Sequence, residues 1–457
     1  MTRRADPDPA RLAALEVVTR TLAGEFLAPT LRTVLDDSAL EPIQRSQVTD
    51  LAYGAVRRLP QLDALLAPRL DRPERLPPRV LTALRLGVLD LLYRPTPAHA
   101  AVSQWVEVVK AEAPGLAALA NAVLRGVERS EAARSAEPRD GDAVAAESDL
   151  ALPQWLWERF EAALGGSARD AALGMLEPEP LWLTAFSASA TAALEADGCE
   201  VDDHGEGADL PYSLRVRAPV PLDRLTAYRD GLVQPQNPAS LHAAATLPIQ
   251  PGGDCFDLAS GRGVKSAVLV ARGAQVTAVE LSKRRIKAAV DNLRRLGLEA
   301  THVAADLVGA RPHELLDAIA AANGWQEPRR SGAVLLDAPC SGTGTLRGHP
   351  EIKLRLTAED VTALAAAQLA MLTTAAALVA PGGSLVYAVC ALTEDEGPEV
   401  VAAFLAATPG FTPVDIEPRL PHVRARGVGV FTLPVAGLDG FYLARLTRSV
   451  EDEGHAG

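Results

Sequence analysis

The sequence lacks any pair of cysteines at C-x-x-C spacing; its four cysteines, Cys199, Cys255, Cys340 and Cys390, are scattered. That pattern suggests neither a zinc site nor a disulfide framework, and it suits a reducing compartment. No window holds the ~18 uninterrupted apolar residues of a membrane span. The start, Met1-Thr2-Arg3-Arg4-Ala5-Asp6-Pro7, continues without the apolar core of a signal peptide. We therefore expect a cytoplasmic protein, monomeric, with neither metal nor membrane contact. No internal repeat is present. Lysine is scarce beside arginine, and base is scarce beside acid, leaving a formal net charge of −13. An acidic total opposes non-specific nucleic-acid binding, yet a local patch decides affinity. Acid concentrates in expected loops at 137–149 and 195–209 and in the tail Glu451-Asp452-Glu453. Base concentrates at Arg262, Lys265, Arg272, Lys283-Arg284-Arg285, Lys287 and Arg294-Arg295.

A chain of 457 residues exceeds what one hydrophobic core usually covers, so several domains are expected. Residues 1–130 read as all helix. Leu12, Leu15, Val18 and Leu22 share one helical face, as do Leu81, Leu84, Val88, Leu91 and Leu92. Pro95 and Pro97 stop the second helix, and Val102, Val106 and Val109 begin another. Residues 131–150, rich in small and acidic residues without an apolar period, read as a linker. Residues 151–245 predict a small α/β, RRM-like module, with a helix starting at 153–160 and strands at 182–186 and 212–216. From 246 to 450 strands and helices alternate, which predicts a mostly parallel sheet with helices on both faces. Its strands are expected at 255–259, 275–280, 301–304, 333–337 and 384–389, with a turn at Pro381-Gly382-Gly383. The expected fold is thus multidomain: all-α, then small α/β, then α/β Rossmann-like.

Asp257-Leu258-Ala259-Ser260-Gly261-Arg262-Gly263 forms a strand, a glycine turn and the start of a helix, a unit that cradles nucleotides. Glu280 ends the next strand, where a carboxylate can accept hydrogen bonds from both ribose hydroxyls. The pattern alone leaves a methyl donor, a dinucleotide and a plain turn open. Glu280 also suits a helix N-cap neighbourhood. Asp257 favours a ligand amino group over a pyrophosphate. Asp306 follows the third strand.

Leu335-Leu336-Asp337-Ala338-Pro339-Cys340-Ser341-Gly342-Thr343-Gly344 is the most specific stretch. An apolar strand delivers Asp337, Pro339 and Cys340 at its carboxyl end, where open α/β sheets bind ligands. Cys390 closes the next main strand. A single buried cysteine is ordinarily a small hydrophobe; two at adjacent strand ends, beside an Asp and a Lys, point to a reactive site.

The segments at 337–341, His349-Pro350-Glu351-Ile352-Lys353, the strand ending in Cys390, and Asp439-Gly440-Phe441-Tyr442 resemble the Sun/Fmu family of RNA 5-methylcytosine methyltransferases. The N-terminal half resembles the NusB-like RNA-binding domain of its RsmB-type branch, in Val48-Thr49-Asp50-Leu51-Ala52-Tyr53-Gly54, Leu84-Arg85-Leu86-Gly87, Pro97-Ala98-His99-Ala100-Ala101-Val102 and Asn121-Ala122-Val123-Leu124-Arg125. The resemblance covers nearly the whole chain. It implies S-adenosylmethionine as cofactor and small-subunit (16S) ribosomal RNA as partner, with C5 of a cytosine methylated through a covalent adduct at C6. It assigns the nucleophile to Cys390, product release to Cys340, support of the ring to Asp337 and a basic catalytic role to Lys265. Cofactor contacts fall on Asp257, Ser260, Gly261, Gly263, Lys265, Glu280, Asp306 and Asp337. RNA contacts fall on Pro339, Lys283, Arg284 and Arg285. The chain departs from the family at Val264, where glycine is usual, at Val389, where threonine is usual, and at Glu280, where aspartate is usual. Transfer RNA or another ribosomal site, a DNA enzyme using Cys340, and an RNA-binding assembly factor without turnover are the alternative readings.

Overall fold

The structure, a computed structural model, describes residues 7–134, 149–203 and 211–450. Most of the linker, the acidic stretch at 204–209, residues 1–6 and Glu451-Asp452-Glu453 lie outside them. Residues 131–134 complete a helix that starts at Ala117. The chain divides into two units, Met1–Trp157 with Leu346–Arg355, and Glu158–Thr345 with Leu356–Gly457.

The first unit is helical, built from Pro9–Leu22, Leu27–Asp36, Pro42–Arg57, Leu59–Leu66, Pro78–Leu92, Ala98–Glu112 and Ala117–Arg134. Prolines at the first helical positions set the start of several of these, because the missing N–H has no intrahelical partner there anyway. Leu15, Val18, Leu84, Val88, Val102 and Val109 fill its core. Gly87 permits close helix packing: a Cβ there would meet Leu124 at 2.9 Å. Asp90, buried in this core, accepts from Arg11 at 2.7 Å, Trp105 at 3.0 Å and Thr96 at 2.6 Å, which satisfies its charge. The His349-Pro350-Glu351-Ile352-Lys353 segment belongs to this unit. Lys353 donates to the Arg57 carbonyl, and Arg57 donates to the Arg347 carbonyl at 2.9 Å. Burial, helped by Arg57 and Arg58, pushes Lys353 down to about 7.

The second unit holds two sheets. The smaller consists of β1 (Leu181–Ala185), β2 (Glu200–Asp203), β3 (Tyr212–Arg217) and β4 (Val233–Pro235), antiparallel in the order β2-β3-β1-β4. The expectation that 195–209 is a loop is corrected here. Glu195 lies in the helix Ala190–Ala196, and Glu200–Asp203 forms an edge strand whose Val201 packs on the core while Glu200 and Asp202 are exposed.

The larger sheet contains β5 (Asp254–Leu258), β6 (Gln275–Val279), β7 (Thr301–Val303), β8 (Ser331–Asp337), β9 (Val379–Val389), β10 (Phe411–Val414), β11 (Val423–Arg426), β12 (Gly429–Thr432) and β13 (Phe441–Arg448). The order is β11-β12-β13-β9-β8-β5-β6-β7, and β10 pairs with β13. Strands β7 to β9 through β5 run parallel, whereas β13 is antiparallel to β9. Pro381-Gly382-Gly383 is a bulge within β9 and not the expected turn ahead of it. Gly382 takes φ of 73°, and the pairing jumps from Ser331↔Val379 to Ala333↔Ser384. The chain runs from β5 outward to β7, then returns to place β8 on the other side of β5. The switch point therefore lies between β5 and β8, where ligands of open α/β sheets bind. The helix Ala358–Ala377 is apolar and long enough to cross a bilayer by composition, and it lays one buried face, with Val361, Gln368, Leu372 and Ala375, on β8 and β9.

Candidate active site

Strand β5 ends in a tight loop. Ala259, Gly261 and Gly263 all have positive φ, at 56°, 59° and 72°. Ala259 carries a Cβ in this left-handed region, a strain of ~1–2 kcal/mol that is characteristic of functional loops. Gly263 sits where a Cβ would press on Ala289 at 3.0 Å. It is followed by Val264, the first residue of the helix Val264–Ala271. The unusual Val264 is thus accommodated as a helix start, and its carbonyl accepts from Gln234 at 3.0 Å. Arg262 points to solvent.

Asp257 is buried within β5 and accepts from Ser266 Oγ at 2.5 Å; its other oxygen, Oδ1, has no partner, nor has Ser260 Oγ. Burial pushes the Asp257 carboxyl up to about 7, against the pull of Ser266. Glu280, at the end of β6, accepts from Gly261 N at 2.9 Å and Ser282 N at 2.8 Å. It therefore braces the glycine loop and the start of the helix Lys283–Arg295 together, as a residue of a helix N-cap neighbourhood does. Asp306 is exposed and accepts from Val308 N at 3.0 Å.

Lys265 Nζ reaches from the first turn of its helix to Asp337 Oδ2 at the end of β8, at 2.7 Å, and lies 5.2 Å from the Phe441 ring. Burial opposes its charge, yet Asp337, with lesser help from Cys390 and Asp257, holds Lys265 above its ordinary value. Cys340 and Cys390, carried by the turns after β8 and β9, stand Sγ to Sγ at 3.1 Å, both half-buried. The hydrogen bond to Cys390, then burial, then the charges of Cys390 and Glu396 push the Cys340 thiol well up. Either sulfur can donate across this contact, so one proton can be shared between the two thiols. Pro339 is exposed beside it, and Val389 is fully buried.

The structure thus brings Asp257, Ser260, Gly261, Gly263, Lys265, Glu280, Asp337, Cys340 and Cys390 to the carboxyl edge of the parallel strands. Lys283, Arg284, Arg285 and Lys287 form an exposed basic run in which Arg285 also pairs with Glu280 at 3.7 Å, while Arg294 pairs with Asp291. Arg295 leaves the basic patch: it donates to the carbonyls of Tyr228 and Val233 and stacks on Tyr228 at 3.9 Å. Helix periodicity turns it inward toward these carbonyls.

Sequence reasoning missed the parts played by Gly344 and Glu396. Gly344 N donates to the Cys390 carbonyl at 2.9 Å, and its own carbonyl accepts from Gly440 N at 2.9 Å; a Cβ there would lie 2.0 Å from Gly440 O. These two hydrogen bonds close the Asp439-Gly440-Phe441-Tyr442 motif onto the thiol turn. Glu396 lies in an acid run, Glu394-Asp395-Glu396, that has the look of a solvated loop, yet it is fully buried.

A glycine loop and an acid at the ends of β5 and β6, in this strand order, define a class I methyltransferase domain. The family model described as 16S rRNA methyltransferase RsmB/F matches residues 244–447, and that of the NusB family matches 8–129. The ribosomal RNA small subunit methyltransferase B of Thermus thermophilus is 44% identical over 404 residues, spanning 88% of this chain and 89% of the relative. The Pseudomonas syringae protein of the same name is 32% identical, spanning 98% and 99%. The crystal structure of PH0851 superposes with a TM-score of 0.73 at 22% identity, covering 96% of this chain and 99% of that one, which bears on fold alone. The chain belongs to the RsmB/F family of ribosomal RNA methyltransferases, and its methyl donor is S-adenosylmethionine.

Proposed function

We propose that the chain methylates C5 of a cytosine in 16S ribosomal RNA, in the cytoplasm, through a covalent adduct between Cys390 and C6. The observation that carries this reading is the thiol pair, 3.1 Å apart at adjacent strand ends beside the Lys265–Asp337 ion pair. The relatives' names supply the ribosomal RNA.

The residues present fit the methyl donor. Asp257 Oδ1 and Ser260 Oγ are buried polar atoms with capacity to spare, suited to an ammonium group. Glu280 has lone pairs left for ribose hydroxyls. Gly261 and Gly263 let the backbone pass close by. When bound, the donor supplies an electrophilic sulfonium methyl.

Cytosine C5 is a weak nucleophile. Addition of the Cys390 thiolate to C6 forms the S–C6 bond and turns the ring into an enamine whose C5 can take the methyl. Lys265 Nζ, held in place by Asp337, donates the hydrogen bond that N3 needs as electron density moves onto it, and the Lys265 cation favours thiolate at the site. Cys340 then assists elimination. The C5 proton passes to solvent water, the S–C6 electron pair returns to Cys390 as thiolate beside Cys340 Sγ, and aromaticity is restored. Pro339, exposed beside Cys340, shapes the wall against the cytosine. Such chemistry requires an unpaired or flipped base. Labelled methyl donor with protein-free small-subunit RNA, followed by nucleoside analysis, tests the reading: label in 5-methylcytidine supports it, and label in another nucleoside or none overturns it.

A further inference from the structure

Behind the two thiols lies a carboxylate that the reaction does not use. Glu396 Oε1 accepts from Ser341 N at 2.8 Å and Gln368 Nε2 at 3.0 Å. Its Oε2 accepts from Ser341 Oγ at 2.5 Å and Thr393 Oγ1 at 3.3 Å. Gln368 Nε2 also donates to the Pro339 carbonyl at 2.9 Å. Both chain neighbours of Cys340 are therefore tied to one side chain, directly or through Gln368. Thr393 adds the loop that leaves Cys390. Tyr387 OH, donating to the Glu396 carbonyl at 2.6 Å, anchors the whole to β9. Every donor to the carboxylate is neutral, and burial pushes the Glu396 carboxyl above its usual range. A buried carboxylate is costly unless its oxygens are satisfied. Here that cost is borne at a network that ends on the two thiol turns.

We propose that Glu396, with Gln368 as its extension, is the positioning residue of the thiol pair: it fixes the Pro339-Cys340-Ser341 turn against the turn of Cys390 and so sets the Sγ–Sγ separation. It touches no substrate atom and acts through Ser341 and Gln368. The kinetic consequence rests on the two-thiol reaction above; the geometry does not.

Two variants, Glu396→Gln and Ser341→Ala, test this with a chemical ruler that needs no RNA. Diamide oxidises two adjacent thiols to a disulfide; two protons and two electrons pass to its N=N bond, giving the hydrazine. Peptide mass mapping follows the Cys340–Cys390 crosslink, with circular dichroism and S-adenosylmethionine affinity as controls. The crosslink forms about 10-fold more slowly in Glu396→Gln, the ratio that a lost hydrogen bond to a charged group yields, and less markedly so in Ser341→Ala. In single turnover Glu396→Gln still transfers methyl but releases RNA about 100-fold more slowly, the scale of a ~1 Å misplacement. Crosslinking at the wild-type rate in folded variants overturns the proposal; should Glu396→Gln not fold, Ser341→Ala decides alone. A slowed crosslink with every catalytic step intact upholds the positioning role and sinks the two-thiol reaction instead.

Discussion

Lys265 Nζ stands 2.7 Å from Asp337 Oδ2, joining the first turn of the helix after β5 to the end of β8 across the switch point of the sheet. One ion pair thereby couples the glycine loop to the thiol turns. Its members come from the two strands between which an open α/β sheet accepts its ligand.

Replacing Lys265 by Met removes the cation and leaves Asp337 without it. Methylation in single turnover is expected to fall by about 10²–10³-fold, the scale for losing one preorganised charge from a reacting site. S-adenosylmethionine affinity, measured by calorimetry, should change far less. A large loss of affinity with an unchanged rate in saturating donor would move Lys265 out of the chemistry.

Asp257 predicts a pH dependence. Its carboxyl, pushed up to about 7 by burial, ionises in the unfolded chain near the ordinary ~3.9. Between those values the folded state binds the extra proton, so this group's contribution to stability falls as pH rises from ~4 to ~7. Binding of the donor's ammonium favours the carboxylate. Affinity for S-adenosylmethionine should therefore rise from pH 6 to pH 8, and Asp257→Asn should bind weakly with a flat profile. Titration calorimetry across that range checks this; a wild-type affinity independent of pH would contradict it.

Glu280→Ala should weaken donor binding by ~1–3 kcal/mol, the value of hydrogen bonds to a charged group. Because Glu280 also holds Gly261 N and Ser282 N, the melting temperature of the donor-free protein should fall as well. Unchanged affinity in a folded variant would remove Glu280 from the donor site.

For RNA, Glu at Lys283, Arg284 and Arg285 should weaken binding and flatten the salt dependence by about 0.7–0.9 for each phosphate no longer neutralised. Arg295→Ala should instead lower thermal stability and leave the slope alone, since its guanidinium serves the Tyr228 and Val233 carbonyls. A filter-binding salt series with both variants checks the pair of outcomes.

The parallel strands β5, β6, β8 and β9 were readable from sequence because each is a short apolar run ending near a residue of distinct chemistry: Asp257 in β5, Glu280 after β6, Asp337 on β8 and Cys390 after β9. The short strands β10, β11 and β12 were not, since four residues broken by Pro413 or flanked by Gly427 carry too little pattern. Burial was the hidden variable elsewhere. Glu396 and Arg295 look solvated in sequence because acid runs and basic helices usually are, and only packing shows their oxygens and nitrogens spent indoors. The bulge at Gly382 was read as a turn because a Pro-Gly-Gly run marks a turn far more often than an irregular strand.

The division of labour between Cys340 and Cys390 is tested most directly on a denaturing gel, with labelled small-subunit RNA and S-adenosylmethionine. Cys390→Ala is expected to leave no slow-migrating protein–RNA complex and no methylation, while still binding the donor. Cys340→Ala is expected to add to C6 and transfer methyl, then stall, leaving a persistent complex. The reverse pattern would make Cys340 the nucleophile, and full activity in both variants would contradict covalent catalysis altogether.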